Sequence, residues 1–122
     1  MIYIGIVGSR DRSELQKIEE ILSWHGNEHG YNNITVISGG ADGIDTEAKR
    51  MAQKYGFQLI EYKPKFKEYP KKGNNIYFER NKKIAKKSDY LYAFPKDRRG
   101  GTMNTVKYFK EFGKEDKLII ID

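Results

Sequence analysis

Short apolar runs alternate along this chain with longer stretches whose apolar positions recur every three or four residues. IYIGIV (residues 2–7) is β-rich and runs into a glycine, which predicts a buried strand. SELQKIEEILSWH then places Leu15, Ile18, Ile21, Leu22 and His25 on one helical face. Ser13 and Gln16 have the spacing of a capping box, which predicts a helix start there. ITVIS (34–38) reads as the second strand. GIDTEAKRMAQKYG reads as a helix with Ile44, Ala48, Met51, Ala52 and Tyr55 inward and Gly56 as its stop. FQLIEY (57–62) is the third strand. KPKFKEYPKKGNN (63–75) carries two of the three prolines and is longer than an ordinary connection, which marks it as functional or mobile. IYFERNKKIAKK (76–87) is a helix with Ile76, Tyr77, Arg80 and Ile84 toward one side. DYLYAF (89–94) is the fourth strand. TMNTVKYFKEFG is a helix with Met103, Val106 and Phe109 inward and Gly113 at its end, and KLIII (117–121) closes the series.

This β-α-β-α-β-α-β-α-β order implies an α/β fold: a five-stranded parallel sheet with four helices in three layers, one domain over residues 1–122. The strands are apolar throughout, as strands buried on both faces must be. In such sheets ligands bind beyond the carboxyl ends of the strands, where the strand order reverses. The segments after strands one, two and four therefore draw attention: GSRDR, GGADG and PKDRRGGT.

Each joins a strand to a helix N-terminus, where glycines let backbone N–H groups approach a phosphate. The candidate ligand-binding residues are Gly8, Ser9 and Arg10 in the first turn, and Gly39, Gly40, Ala41, Asp42 and Gly43 in the second. Gly100, Gly101 and Thr102 form the third, with Asn104 and Thr105 one helical turn further on. Arg suits bidentate recognition of phosphate. Each turn by itself is equally a plain capped turn; their convergence on one sheet edge carries the functional reading. Asp45 reads mainly as a helix cap. Asp42 reads equally as a cap or as an acceptor for a ribose hydroxyl or a base. Arg80 and Asn81 form a further small site. Arg80 falls near an inward stripe, so it needs a partner: a carboxylate such as Glu79 of a neighbouring subunit, Asp42 across the cleft, or a bound phosphate. Phe94, at the carboxyl end of strand four, is placed to stack on a base or to pack in the core.

Charge and composition sharpen this. There are 23 Lys and Arg against 17 Asp and Glu, a formal +6, which favours anionic partners. With no cysteine there is no disulfide framework and no thiolate chemistry. The N-terminus lacks a basic n-region, and no apolar run approaches the ~20 residues of a membrane span, so a cytoplasmic protein without membrane association is expected. No P-loop pattern and no G-x-G-x-x-G after the first strand is found. His25 and His29 have no carboxylate spacing that makes a metal site, and read as surface or partly packed residues. No nucleophile–base–orienter set and no resident cofactor is read, beyond a possible bound nucleotide.

GIVGSRD, VISGGADGIDTEAKRMAQKYG, RNKKIAKKSDYLYAFP and GGTMNTV occur here in the order seen in the SLOG superfamily, the Rossmann-like group of DprA/Smf and LOG proteins. The chain most resembles its small stand-alone YspA/YpsA-like branch. The resemblance implies strand order 3-2-1-4-5 and a site for a nucleotide or nucleotide-derived ligand (ADP-ribose/NAD-like or cyclic) between strands one and four. A nucleotide pocket built on converging glycine turns, with no clear catalytic acid, points to a sensor or sequestering module. LOG phosphoribohydrolases, the hydrolase alternative, use a glutamate in P-G-G-x-G-T-x-x-E. Asn104, Thr105 and Val106 stand in the comparable place here, and neutral groups cannot supply a carboxylate's chemistry. Asp42 or Glu79 would have to substitute. A DprA-like single-stranded nucleic-acid contact would use the lysine-rich loop, where Tyr62, Phe66 and Tyr69 interleave with lysines. A homodimer is the family-like expectation, with exposed aromatics in IYF (76–78) compatible with one.

Overall fold

A computed structural model describes residues 1–64 and 75–122, with Asn75 described as backbone only. The expected lysine-rich loop falls mostly outside these residues. The elements are β1 (Ile2–Gly8), α1 (Leu15–His29), β2 (Ile34–Ser38), α2 (Ile44–Tyr55), β3 (Gln58–Glu61), α3 (Asn75–Lys87), β4 (Tyr90–Phe94), α4 (Gly101–Glu111) and β5 (Leu118–Ile120), with short 3-10 turns at Tyr31–Asn33 and Glu115–Lys117. All sheet pairings are parallel, and the strand order is β3-β2-β1-β4-β5. The Rossmann-like order expected from the sequence is the one observed.

Side-chain alternation divides the core into two layers. Ile4 and Ile6 of β1, Ile34 and Val36 of β2, and Tyr92 and Phe94 of β4 face α1 and α2, against Ile18, Leu22, Ile44 and Ala48. Val7, Ile37, Leu91 and Ala93 face α3 and α4, against Ile84, Val106 and Phe109. Each large apolar side chain buried this way contributes about 1.5–3 kcal/mol. Gly56 ends α2 in the left-handed conformation, φ 72°, while Phe57 N–H bonds back to the Ala52 carbonyl. Lys114 closes the other layer. Its ammonium donates to the carbonyls of Ala85, Lys86 and Ser88 at 2.7–3.1 Å, satisfying acceptors that the end of α3 leaves free.

Two local expectations need correction. The capping box does not form: α1 begins at Leu15, and Glu14 before it makes no side-chain cap. Instead, buried Glu47 on α2 accepts the Glu14 N–H at 2.6 Å and the Ser13 hydroxyl at 2.8 Å. The carboxylate that anchors α1 comes from the neighbouring helix, so local spacing could not reveal it. His25 is fully buried rather than on the surface, with Nε2 2.6 Å from the Tyr92 hydroxyl. Its place on the inward face of α1 leaves it no other environment.

Candidate functional site

The chain moves outward from β1 through β2 to β3, then returns to lay β4 on the other side of β1. The turns after β1 and β4 therefore diverge from a common edge and leave a gap. A cleft of about 620 Å³ opens there. That volume is within the range of small-molecule sites. Eleven of the sixteen predicted residues line it: Gly8, Ser9, Arg10, Ala41, Arg80, Asn81, Gly100, Gly101, Thr102, Asn104 and Thr105.

The turn after β1 is fixed by backbone contacts. Ser9 N–H donates to the Phe94 carbonyl at 3.0 Å, and the Ser9 hydroxyl accepts from Asp11 N–H at 3.1 Å. Arg10 is exposed at the cleft, and no described carboxylate pairs with it. Arg12, unremarked in the sequence, holds the frame: its guanidinium donates to the Pro95 and Ile121 carbonyls at 2.8 and 2.7 Å and to Glu14 at 2.9 Å.

The turn after β2 packs against the first. Gly43, at φ 71°, lies so close to the Ser9 and Arg10 carbonyls that a Cβ would come within 2.7 Å of both. Arg80 Nη1 donates to the Gly39 carbonyl at 2.8 Å, and a Cβ on Gly39 would sit 2.6 Å from that nitrogen. These glycines build the wall rather than face the cleft. Gly39, Gly40, Asp42 and Gly43 are not among the lining residues, and Asp42 is exposed. The loop needs close backbone approach on its far side, which turns these positions away. Within the chain Arg80 does not pair with Asp42: it donates to the Gly39 carbonyl, with Nε on Asn81 Oδ1 at 2.9 Å.

Asn81 is buried and extends this network, donating to Asn104 Oδ1 at 3.0 Å and the Gly101 carbonyl at 3.3 Å. Thr105 donates to the same carbonyl at 3.1 Å. One polar chain thus runs from the β2 turn through α3 to the start of α4. Phe94 is fully buried among core residues and cannot stack on a ligand; it lies beneath Arg12. Among the described residues, the aromatics that line the cleft are Tyr77 and Phe78 of α3. Phe78 is exposed, and its place in an aromatic pair at the start of a helix was the available signal.

Lys96 and Arg99 were also missed. They join through an isolated bridge across a tight turn in which Asp97 and Arg98 both have positive φ, 56° and 52°. Non-glycine residues rarely hold that conformation, and strained turns of this kind concentrate at functional sites. The turn sets Lys96 and Arg99 side by side on the cleft, while Arg98 pairs with Asp122 at 2.6 and 2.8 Å. Neither Asp nor Arg advertises such a turn in sequence.

Among the described residues, four cations therefore line the cleft, Arg10, Arg80, Lys96 and Arg99, with one carboxylate, Asp45. Asp45 is 6% exposed and lies in the first turn of α2. One oxygen accepts the Ala41 N–H at 3.1 Å, so it braces the loop. The other is buried without a hydrogen-bond partner among the described residues. Burial pushes its carboxyl up to about 6, against the pull of the Ala41 amide and Arg80. Burial also lowers the Arg80 guanidinium, and Asp45 opposes that shift. No cluster of three or more metal-ligating side chains occurs among the described residues. No described helix is long and apolar enough to cross a membrane.

Known proteins share this frame. DNA processing protein A from Streptococcus pneumoniae superposes with a TM-score of 0.77 at 21% identity, over 100% of this chain and 50% of that one. DNA processing protein A from Helicobacter pylori, whose single-stranded DNA binding mode is the subject of its structure, gives 0.74 at 17% identity, over 99% and 65%. The structural-genomics target TM1055 gives 0.61 at 17% identity, over 93% and 71%. At these identities the likeness is one of fold, and the chain spans less than two-thirds of either DNA processing protein. No curated protein sequence matches. A family model does, over residues 4–69, which include most of β1 and both glycine turns through Gly43. The chain belongs to the YspA, cpYpsA-related SLOG family.

Proposed function

We propose that this cleft binds a nucleotide or nucleotide-derived ligand, of the ADP-ribose/NAD-like or cyclic-nucleotide kind, as a sensing or sequestering module. The observation that carries the reading is the meeting of three strand-to-helix turns on one cleft where, among the described residues, four cations stand with a single carboxylate. Phosphates fit the Gly100–Thr102 turn at the positive end of α4, beside Lys96 and Arg99. Exposed Phe78 offers a face for a base. Asn104, its Oδ1 taken by Asn81, offers its Nδ2 amide to a sugar or base edge. Hydrolysis of LOG type is the weaker reading: Asp42 and Glu79 are exposed and outside the lining, and Asn104 Oδ1 accepts from Asn81. The ligand is held and released intact in this reading.

Calorimetry against nucleoside monophosphates, cyclic nucleotides, NAD and ADP-ribose tests it. At least one binds, and Arg99→Ala with Lys96→Ala weakens it by tenfold or more, on the order of 1–3 kcal/mol for charge-assisted hydrogen bonds. Absence of binding by the whole panel, at concentrations up to millimolar, removes the proposal. A second reading, single-stranded DNA, draws on the DprA-like fold and on exposed Lys82, Lys83, Lys86 and Lys87 on α3. It predicts affinity for an oligonucleotide that falls steeply with salt; a flat response rejects it.

A further inference from the structure

We propose that anion binding in this cleft is coupled to proton uptake at Asp45, so that a phosphate or sulfate group beside Arg80 is held more tightly in acid than in base. This rests on the reading of the cleft as an anion site. Arg80 Nη1 and Asp45 Oδ2 converge on the same point above Gly39, 2.6 and 3.0 Å from where its Cβ would be, yet they are not in salt-bridge contact. The guanidinium is tied instead to the Gly39 carbonyl and Asn81 Oδ1, while its Nη2 makes no described hydrogen bond. An anion taking that free edge lands near a carboxylate that is already 94% buried, with one oxygen unpartnered. Two negative charges there repel, and protonating Asp45 relieves the repulsion.

The surroundings leave Asp45 as the group that yields. From α3 it faces Arg80, with Tyr77 beside that arginine; from the end of β3 it faces Glu61, which also disfavours its charge. Glu61 is itself flanked by Lys49 and Lys63 at 3.9 and 3.8 Å. Arg10 from the β1 turn adds positive charge near Arg80, and Lys96 and Arg99 line the same cleft. On its own helix, Glu47 is occupied by Ser13 and Glu14. An arginine does not give up its proton here, whereas a carboxyl near 6 titrates in the neutral range.

Sulfate is the probe, because it keeps its charge from pH 4 to 9. The Asp45 carboxyl carbon is followed by NMR across that range, with sodium sulfate or with chloride at equal ionic strength. The midpoint rises by at least roughly one unit when sulfate saturates the cleft, a lower bound on the ~2 units that two like unit charges about 6 Å apart give at an effective dielectric near 20. Correspondingly, Asp45→Asn binds sulfate roughly tenfold tighter at pH 8 and loses the pH dependence. A midpoint that stays put or falls while the Gly101 and Thr102 amides respond to sulfate overturns the coupling. So does the absence of any sulfate response in the cleft. The wild-type titration stands even if the variant fails to fold. Sulfate binding with proton uptake, but no nucleotide binding, leaves the coupling and removes the nucleotide reading. ADP-ribose binding with no proton uptake does the reverse.

Discussion

Replacing Asp45 by Asn should stabilise the protein at neutral pH and do so less in acid. The side chain keeps its shape, and its oxygen can still accept the Ala41 N–H. What disappears is the cost of holding a charge in a buried site. The carboxyl sits at about 6 against an ordinary 3.8. An acid whose folded value is raised loses stability as pH climbs from its unfolded value to its folded one, and the loss is complete above the folded value. At about 1.4 kcal/mol per unit, the loss amounts to about 3 kcal/mol above pH 7. For a chain of this size that is roughly 10 °C in melting temperature. Differential scanning calorimetry of both proteins at pH 8 and pH 4.5 reads it directly. The advantage of Asp45→Asn should be largest at pH 8 and should shrink to about a third of that at pH 4.5. An advantage equal at the two pH values, or a variant that melts below wild type at pH 8, refutes the claim that burial of this charge is the cause.

Other consequences follow the same logic. His25 is held down to about 4 by burial and then by His29, so its contribution is intact above pH 6.5 and declines as pH falls toward 4, by about 3 kcal/mol in all. That decline opposes the Asp45 gain, so wild-type melting temperature should vary little from pH 6 to 4.5, whereas Asp45→Asn should drop on acidification; a drop of equal size in wild type contradicts this. Glu47→Ala removes both acceptors at the start of α1 and should cost about 1–3 kcal/mol, read as a lower urea midpoint with unchanged slope. Gly43→Ala meets both positive φ and two carbonyls, and should cost more than about 2 kcal/mol in the same assay; a neutral result means the two turns do not pack as described.

The sheet was legible because parallel strands leave uninterrupted apolar runs, and each run here is bounded by glycine or a polar turn. The two core layers follow from period-2 alternation on β1 and β4. The cleft was legible as far as the strand-to-helix turns mark it, which is why Ser9 and Gly101 were found, while Arg80 was found from the inward stripe of its helix. Other features depend on residues distant in sequence. Asp45 lies in the cleft because Gly39 admits Arg80 beside it, and a cap-like position in the chain concealed that. Lys96 and Arg99 come together through a turn whose residues do not signal it. Phe94 was misread because carboxyl-end position and inward register look alike until β4 is seated between β1 and β5.

If the Ser9, Arg80, Lys96, Arg99 and Gly100–Thr102 groups form one anion site for a nucleotide-like ligand, amide NMR mapping with ADP-ribose will show it. Saturable shifts should concentrate at Ser9, Arg10, Arg80, Asn81 and residues 99–105, with little change at the opposite edge around His25. Shifts confined to surface lysines, or none at millimolar ligand across the nucleotide panel, contradict it.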